Sequence, residues 1–184
     1  IKSVFTRMPR IVREVSAICG KYIRITTSGE ETEVDKTVLE NLIDPLTHMI
    51  RNSVDHGVET PSERQAAGKE PYGTIELSAR HRSGRIIIEI TDDGKGINRS
   101  AVLKKAQEKN LIPADHQLTD NKIDNLIFKP GFSTADKVSE VSGRGVGMDV
   151  VRKNVTSLGG RINVASTPGK GCVMTLSLPL TLAV

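Results

Sequence analysis

Apolar residues in the first stretch of the chain recur three and four apart: Val4, Met8, Ile11, Val12, Val15 and Ile18. That spacing predicts one amphipathic helix over residues 3–19, ended by Gly20. The period then switches to alternation in Tyr22-Ile23-Arg24-Ile25-Thr26, which predicts a strand. Asp35 is placed to cap a second helix whose buried stripe is Val38, Leu39, Leu42 and Ile43. Pro45 predicts a kink or break there, because proline has no backbone donor to give. Beyond it the helical period resumes. Leu46, Met49, Ile50 and Val54 fall on one side, and His48, Arg51, Asn52 and Asp55 share the other, with Gly57 as the expected stop.

The remaining pattern is strand, turn and helix in short pieces. Thr60-Pro61-Ser62-Glu63 is a capping box opening a short helix that Gly68 closes. Ile75, Leu77 and Ala79 alternate, Ser83-Gly84 predicts a tight hairpin turn, and the return strand through Ile86-Ile87-Ile88 delivers Asp92-Asp93-Gly94-Lys95-Gly96. Asn98 caps a helix with Val102, Leu103 and Ala106 inward, and Thr119 or Asp120 caps another ending near Phe128. Residues 129–142 carry no clear period, and a loop of that length in a compact domain is usually functional. Gly143-Arg144-Gly145-Val146-Gly147 leads into a helix ended by Gly159-Gly160. Strands over 161–166 and 172–178 follow, joined by the Pro168-Gly169-Lys170-Gly171 turn. These elements sum to an α+β fold, a two-layer α/β sandwich of helices on one face of a mixed, mostly antiparallel sheet. The other sheet face is expected to be partly polar or covered by another domain.

Composition narrows this modestly. The 184 residues fit a single domain spanning 1–184, and the first residue, Ile1, suggests a fragment of a longer multidomain chain. With no Trp, two Tyr and three Phe, the core must come from Ile, Val, Leu and Met. A net charge of +4 without clustering, and so few aromatics to stack on bases, argue against nucleic-acid binding. Cys19 and Cys172 lack metal spacing and read as free thiols of a reducing compartment. No apolar run approaches the ~20 residues of a membrane helix, and no signal peptide is present.

Three stretches carry candidate chemistry. A helix face bearing His48, Asn52 and Asp55 suits a hydrated metal and its phosphate, or equally a solvated surface. A carboxylate at a strand end before Gly94 and Gly96 faces a cleft as a pure acceptor, suited to an exocyclic amine; an acidic surface turn is the plainer reading. The run from Gly143 to Gly147 frees backbone donors for phosphate oxygens at a helix N-terminus. By itself that run is a weak motif. No strand precedes it, Ser166 stands where a dinucleotide fold needs an acid, and the spacing is wrong for a Walker loop.

In this order the three stretches resemble the ATP-binding fold shared by gyrase, heat-shock chaperones, histidine kinases and mismatch-repair ATPases, the Bergerat-type fold. His48-x-x-Arg51-Asn52-x-x-Asp55-His56-Gly57 resembles its N box, Asp92-x-Gly94-x-Gly96 its G1 box, Phe128–Phe132 its F box and Gly143–Gly147 its G2 box. Pro130-Gly131-Phe132-Ser133-Thr134, Val141 through Val151, and Leu178-Pro179-Leu180-Thr181 are similar to the chemotaxis, CheA-type histidine kinases.

That resemblance implies roles. Asp92 binds the adenine amino group. Asn52, with His48 beside it, coordinates Mg²⁺ bridging the phosphates of ATP. Arg51 and His56 lie near enough in sequence to help with phosphate or product charge, and Asp55, Gly94 and Gly96 belong to the nucleotide-binding set. Gly143, Arg144, Gly145, Val146 and Gly147 wrap the triphosphate, with Ser133 and Thr134 in a lid near the γ-phosphate. The lid, residues 129–145, is expected to order on binding an ATP analogue. The chain departs from its relatives at Cys172, where many have Thr, and at Ala135, where some have Lys; Lys137 stands two residues on.

The implied activity is transfer of the γ-phosphoryl group to a histidine on a separate phosphoacceptor domain in two-component chemotaxis signalling. The full-length kinase would meet a response regulator, a coupling protein and chemoreceptors. It would dimerise through a domain absent here and be cytoplasmic, at membrane-associated receptor arrays through its partners. His81 and His116 lack phosphoacceptor context and read as surface or structural. The alternative is an ATPase of the gyrase or mismatch-repair class. Those relatives carry a Glu base four residues before the N-box Asn, where this chain has His48, so hydrolysis is expected to be feeble.

Overall fold

The alternating segments become β1 (Tyr22–Ser28), β2 (Tyr72–Arg82), β3 (Arg85–Asp92), β4 (Arg161–Thr167) and β5 (Gly171–Pro179). In the computed structural model, which describes residues 1–132 and 147–180, they form a five-stranded sheet in the order β1-β2-β3-β5-β4. β1 runs parallel to β2 and the other pairings are antiparallel. The hairpin between β2 and β3 turns at Ser83 (φ 51°) and Gly84 (φ 75°), the left-handed pair that a two-residue hairpin requires.

Period-two burial fixes the two faces. Ile75, Leu77 and Ala79 of β2 lie opposite Asp92, Ile90 and Ile88 of β3, and Ile86, Ile88 and Ile90 lie opposite Leu178, Leu176 and Met174 of β5. These apolar side chains are buried under the helices. Asp92 is the next inward position after Ile90, so strand parity alone turns its carboxylate into the helix-side layer. The outer face carries Thr26, Glu76, Thr91 and Thr175, an Arg80–Glu89 ion pair and Arg24 stacked 3.7 Å over the Tyr72 ring. It is partly polar, as the alternation requires.

The helical layer consists of α1 (Lys2–Phe5), α2 (Met8–Cys19), α3 (Lys36–Asn52), α4 (Pro61–Ala66), α5 (Arg99–Glu108), α6 (Asp120–Asp124) and α7 (Met148–Ser157) among the described residues. Met8, Val12 and Val15 of α2, Val38, Leu42, Leu46, Met49 and Ile50 of α3, and Val151 and Val155 of α7 join the sheet in the main core. A smaller cluster of Val102, Ala106, Ile123, Leu126 and Phe132 sits under α5 and α6. The side chains of Asp35, Asn98 and Thr119 accept backbone hydrogen bonds as caps, and Thr60 and Glu63 make the reciprocal capping box.

Two expectations fail locally. The first helix is two, α1 and α2, because Pro9 in the first turn of α2 cannot bond back toward Phe5; Ile18 is then 58% exposed. α3 runs unbroken through Pro45. Leu42, Leu46, Met49 and Ile50 on either side are fully buried, and keeping them on one face outweighs one missing hydrogen bond. The irregularity comes later, as a wide π-type turn over Ser53–Gly57 with the Val58 amide bonded to the Ser53 carbonyl at 2.9 Å. The helical turn ends at Gly57, as expected, without a left-handed φ there.

Candidate functional site

The polar face of α3 is as the helical period predicts. Met49, Ile50 and Val54 have no exposed surface, whereas His48, Arg51, Asn52 and Asp55 are half-buried, on the opposite side from the core. The turn after Asn52 is tied down from the end of α2 and its connection to β1. Lys21 donates from Nζ to the Val54 and Asp55 carbonyls, both at 2.7 Å, and Asp55 contacts the Cys19 thiol at 3.9 Å and the His56 imidazole at 3.3 Å.

The Asn52 carboxamide has no hydrogen bond to another described residue, so its oxygen is free to ligate. Among the described residues the buried Arg51 Nε has no hydrogen-bond partner. Burial, then the Arg51 charge, pushes the His48 imidazole below its ordinary value, which favours the neutral ring that can act as a ligand or acceptor.

Asp92 is 5% exposed and contributes the buried carboxylate of the site. Burial holds its carboxyl above the ordinary range, the Asp93 and Glu59 charges push the same way, and the backbone amides of Gly94 and Cys172 oppose them. Gly94 donates from its amide to Asp92 Oδ1 at 2.9 Å. Cys172 lies opposite Asp92 in the β3–β5 register and is 8% exposed. Its burial, with the Asp92 charge beside it, pushes the thiol up to about 11, so it stays protonated.

Two glycines bring the end of the helix and the acidic turn into backbone contact. A Cβ on Gly94 would lie 2.1 Å from the Gly57 carbonyl oxygen, and a Cβ on Gly57 would lie 3.1 Å from Asp92 Oδ2. The Lys95 amide closes the junction with a 3.0 Å bond to the Gly57 carbonyl. Gly96, at φ 76°, passes so close to Ser166 and Thr167 that a Cβ would meet each at 2.8 Å. Ser166 in turn accepts from the Ile97 amide at 2.7 Å and is held by Arg99 and Asp124, which pair at 3.0 Å.

Sequence reading missed this second layer: Gly57 as a contact as well as a stop, the Arg99–Asp124–Ser166 group, and an ion-pair cluster of Glu59, Arg64, Lys69 and Asp93. Asp93, directly beside Asp92, was the signal available for the last. Ser133, Thr134, Gly143, Arg144, Gly145 and Val146 lie outside the described residues, as does Lys137. Gly147 sits at the N-terminus of α7 with φ −79°. His81 is exposed and its ring contacts the Glu33 carbonyl at 2.8 Å; among the described residues the buried His116 Nδ1 has no partner.

Residues 41–182 match the family described as histidine kinase-, DNA gyrase B- and HSP90-like ATPase, and the chain belongs to that family. Within it, the whole chain is 62% identical over 184 residues to the chemotaxis protein CheA of Rhizobium meliloti, covering 24% of that protein. It is 49% identical over 181 residues to the CheA of Salmonella typhimurium and 46% identical over 186 residues to that of Bacillus subtilis, covering 27% and 28% of them. The chain thus spans about a quarter of the length of these relatives. Among solved structures, full-length ShkA in complex with AMPPNP shares the fold at TM-score 0.62 and 18% identity, covering all of this chain and 31% of that one. The histidine kinase domain of the blue-light activated kinase of Erythrobacter litoralis EL346 does so at TM-score 0.53 and 17% identity, covering 96% and 65%.

Proposed function

We propose that the chain is the ATP-binding catalytic domain of a chemotaxis histidine kinase, and that it transfers the γ-phosphoryl group of ATP to a histidine on a separate domain. One observation carries this reading. The backbone contact of Gly57 with Gly94 joins the end of α3, whose Asn52 amide has no partner among the described residues, to the turn of a buried carboxylate, so an acceptor for an amine and a ligand for a metal–phosphate group stand on two segments in direct contact.

Asp92 accepts the adenine amino group, since an ionised carboxylate presents only acceptors. Arg51 and His56 stand on the phosphate side of the same helix end. Among the described residues no cluster of three or more His, Cys, Asp or Glu side chains is placed to hold a metal ion. That suits Mg²⁺, which binds through one or two protein ligands and the substrate phosphates. The free Asn52 oxygen fits this role, with the neutral His48 ring the secondary candidate. Bound there, Mg²⁺ would neutralise phosphate charge during transfer. The chain's own work is orientation: α3 and the Asp92 turn fix the two ends of the nucleotide. Phosphoacceptor domain, response regulator, coupling protein, chemoreceptors, homodimerisation and a cytoplasmic location belong to the full-length kinase under this reading.

The test is transfer in trans. Incubated alone with labelled ATP, the chain should stay unlabelled; mixed with a domain bearing the acceptor histidine, it should label that domain with an acid-labile, alkali-stable phosphoryl group. Rapid release of free phosphate instead would favour the hydrolase reading, which His48 in place of a carboxylate base disfavours.

Asn52→Ala should weaken Mg²⁺-dependent ATP binding about tenfold or more, equivalent to ~1.4 kcal/mol, and barely alter metal-free binding. Titration calorimetry with and without Mg²⁺ separates the two; an equal loss in both would make Asn52 a structural residue.

A further inference from the structure

α4 is a six-residue helix, and its inward side chain is an arginine. The Arg64 side chain is 3% exposed, Glu59 7% and Lys69 20%. An apolar residue would anchor so short a helix at lower desolvation cost, so the geometry of the charges is what needs explaining. Arg64 donates to Glu59 at 3.0 Å, to the Glu70 carbonyl at 2.7 Å, and to the Asp93 carboxylate at 3.2 Å. It also reaches the Asp93 carbonyl at 3.2 Å. Lys69 donates to Glu59 at 2.7 Å, to the Asp93 carbonyl at 3.1 Å and to the Gly94 carbonyl at 2.8 Å.

The two carbonyls are the informative contacts. In a trans peptide unit the C=O and the next N–H point in opposite directions. Holding the Asp93 carbonyl outward therefore aims the Gly94 N–H inward, where it bonds Asp92 Oδ1 at 2.9 Å. Holding the Gly94 carbonyl aims the Lys95 N–H at the Gly57 carbonyl, 3.0 Å away at the end of the α3 polar face. One ammonium group thus orients two consecutive peptide units. One amide fixes the buried carboxylate and the other fixes the junction with the metal–phosphate face. Asp93 locks the arrangement from the sheet side by accepting the Thr74 amide at 2.9 Å.

From this we propose that Lys69 and Arg64 are positioning residues of the nucleotide site, setting affinity for the adenine end by fixing both peptide units of the Asp92–Lys95 turn. The inference rests on the function proposed above. Neither residue touches the nucleotide in this scheme, and the phosphate end is left to other groups.

Lys69→Met is the test, with Lys69→Arg as the conservative partner and Val12→Ala, a core change in α2, as a control for lost stability. In the nucleotide-free chain, hydrogen exchange of the Gly94 and Lys95 amides should speed up in Lys69→Met and return toward the parent in Lys69→Arg. Binding of ADP and of adenosine should weaken by the same factor, roughly tenfold for the loss of charge-assisted hydrogen bonds. The ratio of affinities with and without Mg²⁺ should not change. Val12→Ala should lower the melting temperature without any of these effects. Unaltered exchange at Gly94 and Lys95, or a binding loss that Val12→Ala reproduces, would overturn the proposal. A parent chain that binds no adenine nucleotide would remove the function proposed above, whereas the exchange measurement would still decide whether Lys69 fixes the turn.

Discussion

Asp92→Asn should lose most adenine-nucleotide affinity while making the empty protein more stable at neutral pH. Both effects come from a carboxylate that is 5% exposed. An amide in its place can present donors to the adenine amine, and losing a hydrogen bond to a charged acceptor costs roughly 1.5–3 kcal/mol, about tenfold to a hundredfold in affinity. The stability effect has the opposite sign. Burial, reinforced by the Asp93 and Glu59 charges, raises the Asp92 carboxyl above its unfolded value. A raised acid favours folding fully only below the unfolded pKa, and that contribution is lost as pH climbs through the folded one. At pH 7 the parent therefore carries an ionised group that burial disfavours, and the variant does not. Thermal melts should show a higher midpoint for Asp92→Asn at pH 7, with the gap closing as pH falls through the raised value. Nucleotide affinity of the parent should decline over the same descent, beginning above the usual carboxylate range. A variant that binds ADP like the parent would remove Asp92 from the adenine site. One that melts lower at pH 7 would mean that its backbone hydrogen bonds, rather than its burial, dominate its energetics.

The placement of several candidate site residues was legible because it follows short-range periodicities. Counting by two from Ile86, Ile88 and Ile90 reaches Asp92 on the buried side, and counting by three and four from His48 reaches Asn52 and Asp55 on the open side. Local caps at Asp35, Thr60, Asn98 and Thr119 were equally readable, since each needs only residues within one turn. What escaped depends on distant packing. Pro45 looked like a break because its cost is local, while the burial that overrides it is shared across three turns of α3. Arg64 and Asp93 are separated by 29 residues, and Arg99 and Asp124 by 25; no spacing rule pairs them. Gly57 was readable as the helix stop, and the helical turn ends at it. Its second role, the contact with Gly94, requires knowing that the β3 turn comes to rest against the end of α3.

Gly94→Ala should cost both stability and nucleotide binding, because its Cβ would meet backbone rather than a side chain. Gly94 has no positive φ, so an alanine fits its backbone conformation, and the obstacle is purely the approach of the two segments. The added Cβ would lie 2.1 Å from the Gly57 carbonyl oxygen, 2.4 Å from its carbon and 2.9 Å from Asp92 Oδ1. Backbone cannot swing aside as a side chain can. The turn must therefore withdraw from α3 and break the Lys95–Gly57 hydrogen bond, at a cost of about 2–4 kcal/mol together with loss of detectable nucleotide binding. Gly57→Ala is milder, because its nearest new neighbour is the Asp92 carboxylate at 3.1 Å, a side chain that can shift by tenths of an ångström. It should weaken ADP binding about tenfold with a stability cost near ~1 kcal/mol. Gly84→Ala is the control: at φ 75° with nothing within 4 Å, it should cost about 1 kcal/mol of left-handed backbone strain and leave binding intact. Urea unfolding and ADP titration on the three variants yield the ordering. Should Gly94→Ala behave like Gly84→Ala in both measurements, the Gly57–Gly94 contact would not be what joins the carboxylate to the helix face.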